Sequence, residues 1–135
     1  HARTWSVIAS GHARYNRHEL PATTTDPAYI DHRPLVGAED ADLATSLRAV
    51  LELIPDARIC VEAVHRLDDL GAVITQSMKG TSVEGVYAEL SMVSIVTVDG
   101  ELISRTETYD EAELDAALAR FDELRSESSY TPSAS

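Results

Sequence analysis

Asp31 and His32 stand side by side in Tyr29-Ile30-Asp31-His32-Arg33-Pro34, a short strand pattern that carries adjacent ionisable groups and ends on a proline. Successive strand residues point to opposite faces, so only one of the two can enter a given cavity. His32 suits proton transfer near neutral pH, whereas Asp31 would need a raised pKa to match it. The structural alternative is that Asp31 binds local backbone amides and orders the Arg33-Pro34 turn. Arg105 and Glu107, two apart in another strand pattern, share a face with Ile103 and Tyr109, where the arginine would keep the carboxylate ionised. On a solvated face the same pair would be an ordinary cross-strand ion pair.

His12 recurs with Trp5, Ile8 and Tyr15 at helical spacing and so points inward from one face of an amphipathic helix over residues 2–17. A hydrogen-bonded core histidine is the simplest account of it. His65 alternates with Ile59, Val61 and Ala63 and reaches toward the same interior. Three histidines on three separate elements do not have metal-ligand spacing, so no metal is expected. The chain has no glycine-rich phosphate loop, nucleophile elbow or paired-cysteine motif, and no cofactor is expected either. Met78, Leu90 and Met92 read as lining of a core or cavity.

The elements that must position these groups follow from periodicity. Pro21, three consecutive threonines and Pro27 make 19–27 a loop, and the segment from Tyr29 to Arg33 a strand. Leu43, Leu47, Val50, Leu51 and Ile54 form a second helical stripe, led by Glu39, Asp40 and Asp42 and ended by Pro55. Four strands follow at 58–67, 72–79, 83–98 and 101–109, punctuated by hairpin turns at 68–71, 80–82 and 99–100. Such tight joins require largely antiparallel pairing. The strand at 83–98 is long enough to bend, with Gly85 as the expected bulge or kink. Asp110 and Glu113 open a last helix with Leu114, Ala117, Leu118, Phe121 and Leu124 on one face. Asp115, Arg120, Asp122, Glu123 and Arg125 crowd its other face as solvated charge. One domain over 1–125 and a flexible serine-rich tail over 126–135 are expected.

A formal charge of -12 over 135 residues argues against nucleic acid and against an anionic membrane surface as partners. No apolar run approaches the roughly 20 residues of a spanning helix. Cys60, the only cysteine, lies in an apolar run, which suggests a small buried hydrophobe and a reducing, cytoplasmic setting. The chain starts at His1 without an initiating Met, which hints at processing, a tag remnant or a piece of a longer polypeptide.

Helix, strand, helix, four antiparallel strands and a terminal helix make an α+β fold with a curved, mostly antiparallel sheet wrapped around helices. This order, with Tyr15-Asn16-Arg17-His18-Glu19-Leu20 closing the first helix, Ala28-Tyr29-Ile30-Asp31-His32-Arg33-Pro34-Leu35 as the first strand and Ser104-Arg105-Thr106-Glu107-Thr108-Tyr109-Asp110 as the last, resembles the cone-shaped nuclear transport factor 2-like superfamily. SnoaL-type cyclases and ketosteroid isomerases belong to that superfamily, and the resemblance spans about residues 2–112. It implies a general base at the Asp31-His32 strand end and an acidic group near Glu107. The isomerases' tyrosine donor aligns with Gly11 rather than Tyr15, which leaves no clear oxyanion donor. The chain also lacks the family's short helices before the first strand and adds the charged helix after the last. The resemblance further implies a homodimer through the open sheet face, to which exposed-looking Val93 and Ile95 would contribute.

Two functions are consistent with these residues. The first is a SnoaL-like domain that binds a small apolar molecule, with Trp5, Tyr15, Met78, Met92 and Arg105 as the candidate lining, or that serves as an assembly module within something larger. The second is a small isomerase, cyclase or dehydratase that uses His32 or Asp31 as base, assisted by Glu107 or His12. The enzyme requires His12, His32 and Glu107 to converge on one cavity.

Overall fold

A computed structural model describes residues 1–32 and 43–129. The expected Arg33-Pro34 turn, the acids of the second helix's start and residues 130–135 of the tail lie outside the described residues. The first helix, α1, covers Ala2–Asn16, and it stops where His18 takes a φ of 61° and the chain reverses. Strand β1 covers Thr23–Asp31 and α2 covers Leu43–Leu53. Strands β2 (Arg58–Leu67), β3 (Gly71–Thr81), β4 (Tyr87–Asp99) and β5 (Leu102–Asp110) lead through a short 3-10 turn into α3, Leu114–Ser129. Thus Ser126 to Ser129, expected in the tail, are helical.

The strands form one curved, unclosed sheet in the order β1-β5-β4-β3-β2. β2 through β5 pair antiparallel, and β1 lies parallel to β5. β1 begins at Thr23, inside the segment expected as loop. Pro27 survives there because β1 is an edge strand, with its register against β5 shifting between Thr23 and Ala28. Gly85 does not kink β4: it sits at φ 84° in the β3–β4 hairpin, where its N–H donates to the Ser82 carbonyl.

The two faces of the sheet bury two apolar clusters. On the concave face Ile8 of α1 packs with Ala72, Ile74, Val96 and Ile103. Gly11 allows this approach, since a Cβ there would lie 3.0 Å from Cδ1 of Ile103. On the opposite face Ala117, Phe121 and Leu124 of α3 cover Val73, Val93, Ile95 and Tyr109. Val93 and Ile95, read from sequence as exposed dimer residues, are therefore buried at 1% and 0% exposure. Cys60 departs from expectation in the other direction. β2 alternates strictly, and the phase that turns Ile59 and Val61 inward turns Cys60 out to an exposed position.

Among the described residues no helix is long and apolar enough to cross a membrane. A curved sheet with helices packed on it and a helix after its last strand makes an α+β architecture, as expected.

Candidate functional site

Between α1 and the concave face lies a cavity of about 210 Å³. α1 contributes Ile8, Gly11, His12 and Tyr15, consecutive turns of its inward stripe. Ile59 of β2, Met78 of β3, Leu90, Met92 and Val96 of β4 and Ile103 of β5 supply most of the remaining wall. Tyr29 of β1 and Val50 of α2 complete the mouth. Among the described residues the lining includes no Asp, Glu, Lys or Arg.

Its polar groups gather on one wall. His12 Nδ1 donates to the Ile8 carbonyl at 2.9 Å, and Nε2 lies 2.7 Å from Gln76 Oε1. Gln76 Nε2 is 2.9 Å from Ser94 Oγ, which is 3.4 Å from Thr108 Oγ1. Thr106 and Thr108 face the cavity from β5. At the mouth the Tyr15 hydroxyl donates to the Met78 sulfur at 3.5 Å. Burial, with Tyr29 nearby, pushes the Tyr15 phenol up to about 12.

A second cluster of ionisable groups occupies the other side of the sheet. Glu107 is fully buried, accepts from His32 Nε2 and Arg105 at 2.8 Å each, and takes both its oxygens within 3.2 Å of Arg120 Nε. Burial disfavours its ionised form, but the hydrogen bonds from His32, Arg120 and Arg105 outweigh it and hold the carboxyl below its ordinary range. The His32 ring stacks on Tyr109 with centroids 4.2 Å apart. Burial, then the charge of Glu107, push the Tyr109 phenol up to about 12.

Why Glu107 faces α3 is local. Thr97 pairs with Arg105 and Val98 with Ile103, so Ser104 is an extra residue, held by its hydroxyl 2.7 Å from Thr97 Oγ1. This bulge reverses the phase of β5. Ile103 stays on the concave face, whereas Arg105, Glu107 and Tyr109, expected on its side, point to the opposite face. The expected solvated pairing is equally absent, because α3 buries the carboxylate.

The candidate residues therefore divide between the two faces. His12, Tyr15, Met78 and Met92 line the cavity, while Trp5 is not part of the lining and packs against the cluster that holds Ile8. Asp31 shares the concave phase with Tyr29 but is not part of the lining. His32, Glu107 and Arg105 meet on the far side of the sheet and do not converge with His12. His65 is engaged with Thr75 Oγ1 at 2.7 Å. Among the described residues no group of three His, Cys, Asp or Glu could hold a metal ion.

Sequence reasoning missed Gln76, Ser94, Thr108 and Arg120. Gln76 carried a signal, as a polar residue in phase with Ala72, Ile74 and Met78. Arg120, read as solvated, lies three residues after Ala117 and four before Leu124, on the flank of the apolar stripe.

No family model and no curated protein matches this sequence. Solved structures do share its fold. TerC, co-crystallised with polyporic acid, is 16% identical with a TM-score of 0.64 over 86% of this chain and 97% of its own. An NTF2-like protein of unknown function from Burkholderia pseudomallei is 17% identical, with a TM-score of 0.61 over 84% of this chain and 95% of its own. A hypothetical protein with a ketosteroid isomerase-like fold from Catenulispora acidiphila, in complex with trimethylamine, is also 17% identical, with a TM-score of 0.62 over 84% and 92%. These likenesses establish the nuclear transport factor 2-like fold of the chain.

Proposed function

We propose that this domain binds a small, largely apolar molecule in the cavity between α1 and the sheet. The observation that carries this reading is an apolar cavity of about 210 Å³ whose lining, among the described residues, holds no Asp, Glu, Lys or Arg and gathers His12, Gln76, Thr106 and Thr108 as its polar groups, with the Tyr15 and Tyr29 phenols beside them. The rim extends it: Leu90 lines the cavity while 46% exposed, and exposed Val83 donates its N–H to the carbonyl of exposed Leu53, one turn beyond Val50. Two proteins of the same fold were crystallised with small organic molecules, which supports a binding role. The acid–base alternative has less support, because His32 is bonded to the buried Glu107 in an ion network under α3, on the face away from the cavity.

Assembly belongs to the same proposal only in altered form. A homodimer would have to use residues other than Val93 and Ile95, which α3 occupies. A reducing, cytoplasmic setting is consistent with one exposed, unbridged cysteine.

The test is a thermal-shift and NMR screen of small apolar ring compounds. A ligand at 100 times its Kd adds about 2.7 kcal/mol to stability. Binding should shift resonances of Ile8, Met92 and Ile103 and be lost in the cavity-filling variant Met78→Trp. Absence of any shift across the screen would overturn the reading.

A further inference from the structure

We infer that the ligand is a bicyclic molecule bearing one hydrogen-bonding group, that Thr108 reads this group, and that His12 decides through Gln76 and Ser94 whether Thr108 offers it a donor or an acceptor. The inference rests on the binding role proposed above and concerns the chemistry that the cavity selects.

Size comes first. A cavity of about 150 Å³ holds benzene, so 210 Å³ suits about eight or nine heavy atoms in a compact fused-ring shape. Ile8, Met92, Val96 and Ile103 can offer such a ring only dispersion and desolvation. Selectivity for its polar atom has to come from the wall that carries the hydroxyls.

The direction of the hydrogen bonds along that wall is set at one end. A backbone carbonyl only accepts, so His12 Nδ1 carries a hydrogen toward Ile8 in either charge state. When the ring is an imidazolium, Nε2–H donates to Gln76 Oε1 and the Gln76 amide donates to Ser94. Ser94 then donates to Thr108, whose own hydrogen is left to point into the cavity. When the ring is neutral, the Nε2 lone pair needs a donor, and the Gln76 amide turns over to place its NH₂ there. Oε1 now accepts from Ser94, Thr108 donates to Ser94, and Thr108 presents lone pairs to the cavity. Both arrangements use the same heavy-atom positions, because amide oxygen and nitrogen exchange places.

Two features allow the signal to reach the ligand. Ser94 is 0% exposed, Thr108 4% and Gln76 7%, so solvent does not break the chain between its ends. Among the described residues, the other ionisable groups lining the cavity are Tyr15 from α1 and Tyr29 from β1. Arg105 and Glu107 are bonded to each other on the opposite face. The charge of His12 is thus the variable that orients the wall. A ligand that only accepts favours the imidazolium and takes up a proton on binding; one that only donates favours neutral His12.

The experiment compares 1-indanone, an acceptor, with indole, a donor of nearly the same size, on the full chain. Kd values for both are measured by calorimetry across the pH range in which the His12 ¹⁵N ring resonances titrate. The ratio of the indole Kd to the 1-indanone Kd should rise about tenfold as His12 becomes protonated. Bound 1-indanone should also move the His12 titration to higher pH. Ser94→Ala should flatten the pH dependence of the ratio, and Thr108→Val should abolish the discrimination. If both compounds bind wild-type protein with a ratio that does not change with His12 protonation, the relay is overturned and the binding role stands. If neither binds folded protein, both fall.

Discussion

The side-chain amide of Asn16 makes both hydrogen bonds to Ile59 that a neighbouring strand would make. Its Nδ2 donates to the Ile59 carbonyl at 3.0 Å, and the Ile59 N–H donates to Oδ1 at 2.7 Å. The last residue of α1 thereby satisfies one position on the free edge of β2 and fixes the strand that brings Ile59 to the cavity wall. Asn16→Ala leaves both backbone groups without that partner and should cost about 2 kcal/mol of stability in urea denaturation. The Ile59 amide should exchange with solvent much faster in the variant. Unchanged protection at Ile59 would mean that the amide pairing is incidental.

Glu107 contributes stability that depends on its charge. An unfolded glutamate titrates near 4.3, and the folded carboxyl titrates lower because His32, Arg120 and Arg105 donate to it. The contribution is therefore present above about pH 4.3 and is lost as pH falls through the folded value. Glu107→Gln should destabilise the protein by roughly 2 to 3 kcal/mol at neutral pH, less than a fully buried pair would, because Arg105 and Arg120 remain about a quarter exposed. In acid the gap between variant and wild type should close. Denaturation midpoints at about pH 7 and pH 3 measure both, and an equal gap at the two pH values would contradict the charge dependence.

Most of the fold was legible because apolar periodicity is local. The limits of β2 coincide with the expected 58–67, since its alternation runs unbroken from Arg58 to Leu67. The candidate site was less legible because which face a side chain joins depends on pairing. The extra residue Ser104 leaves the alternation of β5 intact to the eye, yet it sends Glu107 away from Ile103 and under α3. β1 likewise begins before Pro27 only because β5 offers it a parallel partner, a tertiary effect that local propensity cannot show. Gln76 was visible as a polar residue in an apolar phase, but its partners His12 and Ser94 lie 64 and 18 residues away.

Removal of α3 should convert a covered face into an adhesive one. Phe121 is fully buried, and with Ala117 and Leu124 it shields Val73, Val93, Ile95 and Tyr109. A chain truncated before Leu114 should form dimers or larger species in light scattering under conditions where the full chain does not gain them. The milder variant Phe121→Ala should cost about 4 kcal/mol through transfer and cavity terms. A truncated chain that stayed folded and monomeric at high concentration would show that α3 is dispensable cover.

Tyr15 and Tyr109 make the fold sensitive to alkali for separate local reasons. Both phenols are pushed up to about 12, Tyr15 by burial and then Tyr29, Tyr109 by burial and then the charge of Glu107. An unfolded tyrosine ionises near 10, so between about pH 10 and 12 the unfolded chain releases protons that the folded chain retains. The stability these groups contribute is complete below about pH 10 and is lost as pH rises toward 12. The melting temperature should fall across that interval, and Tyr15→Phe and Tyr109→Phe should each reduce the slope, because phenylalanine has no proton to release. Absorbance titration of the folded protein should show phenol ionisation extending above about pH 10, part of which each substitution removes. A melting temperature whose pH slope is the same in both variants as in wild type would place the alkaline sensitivity elsewhere.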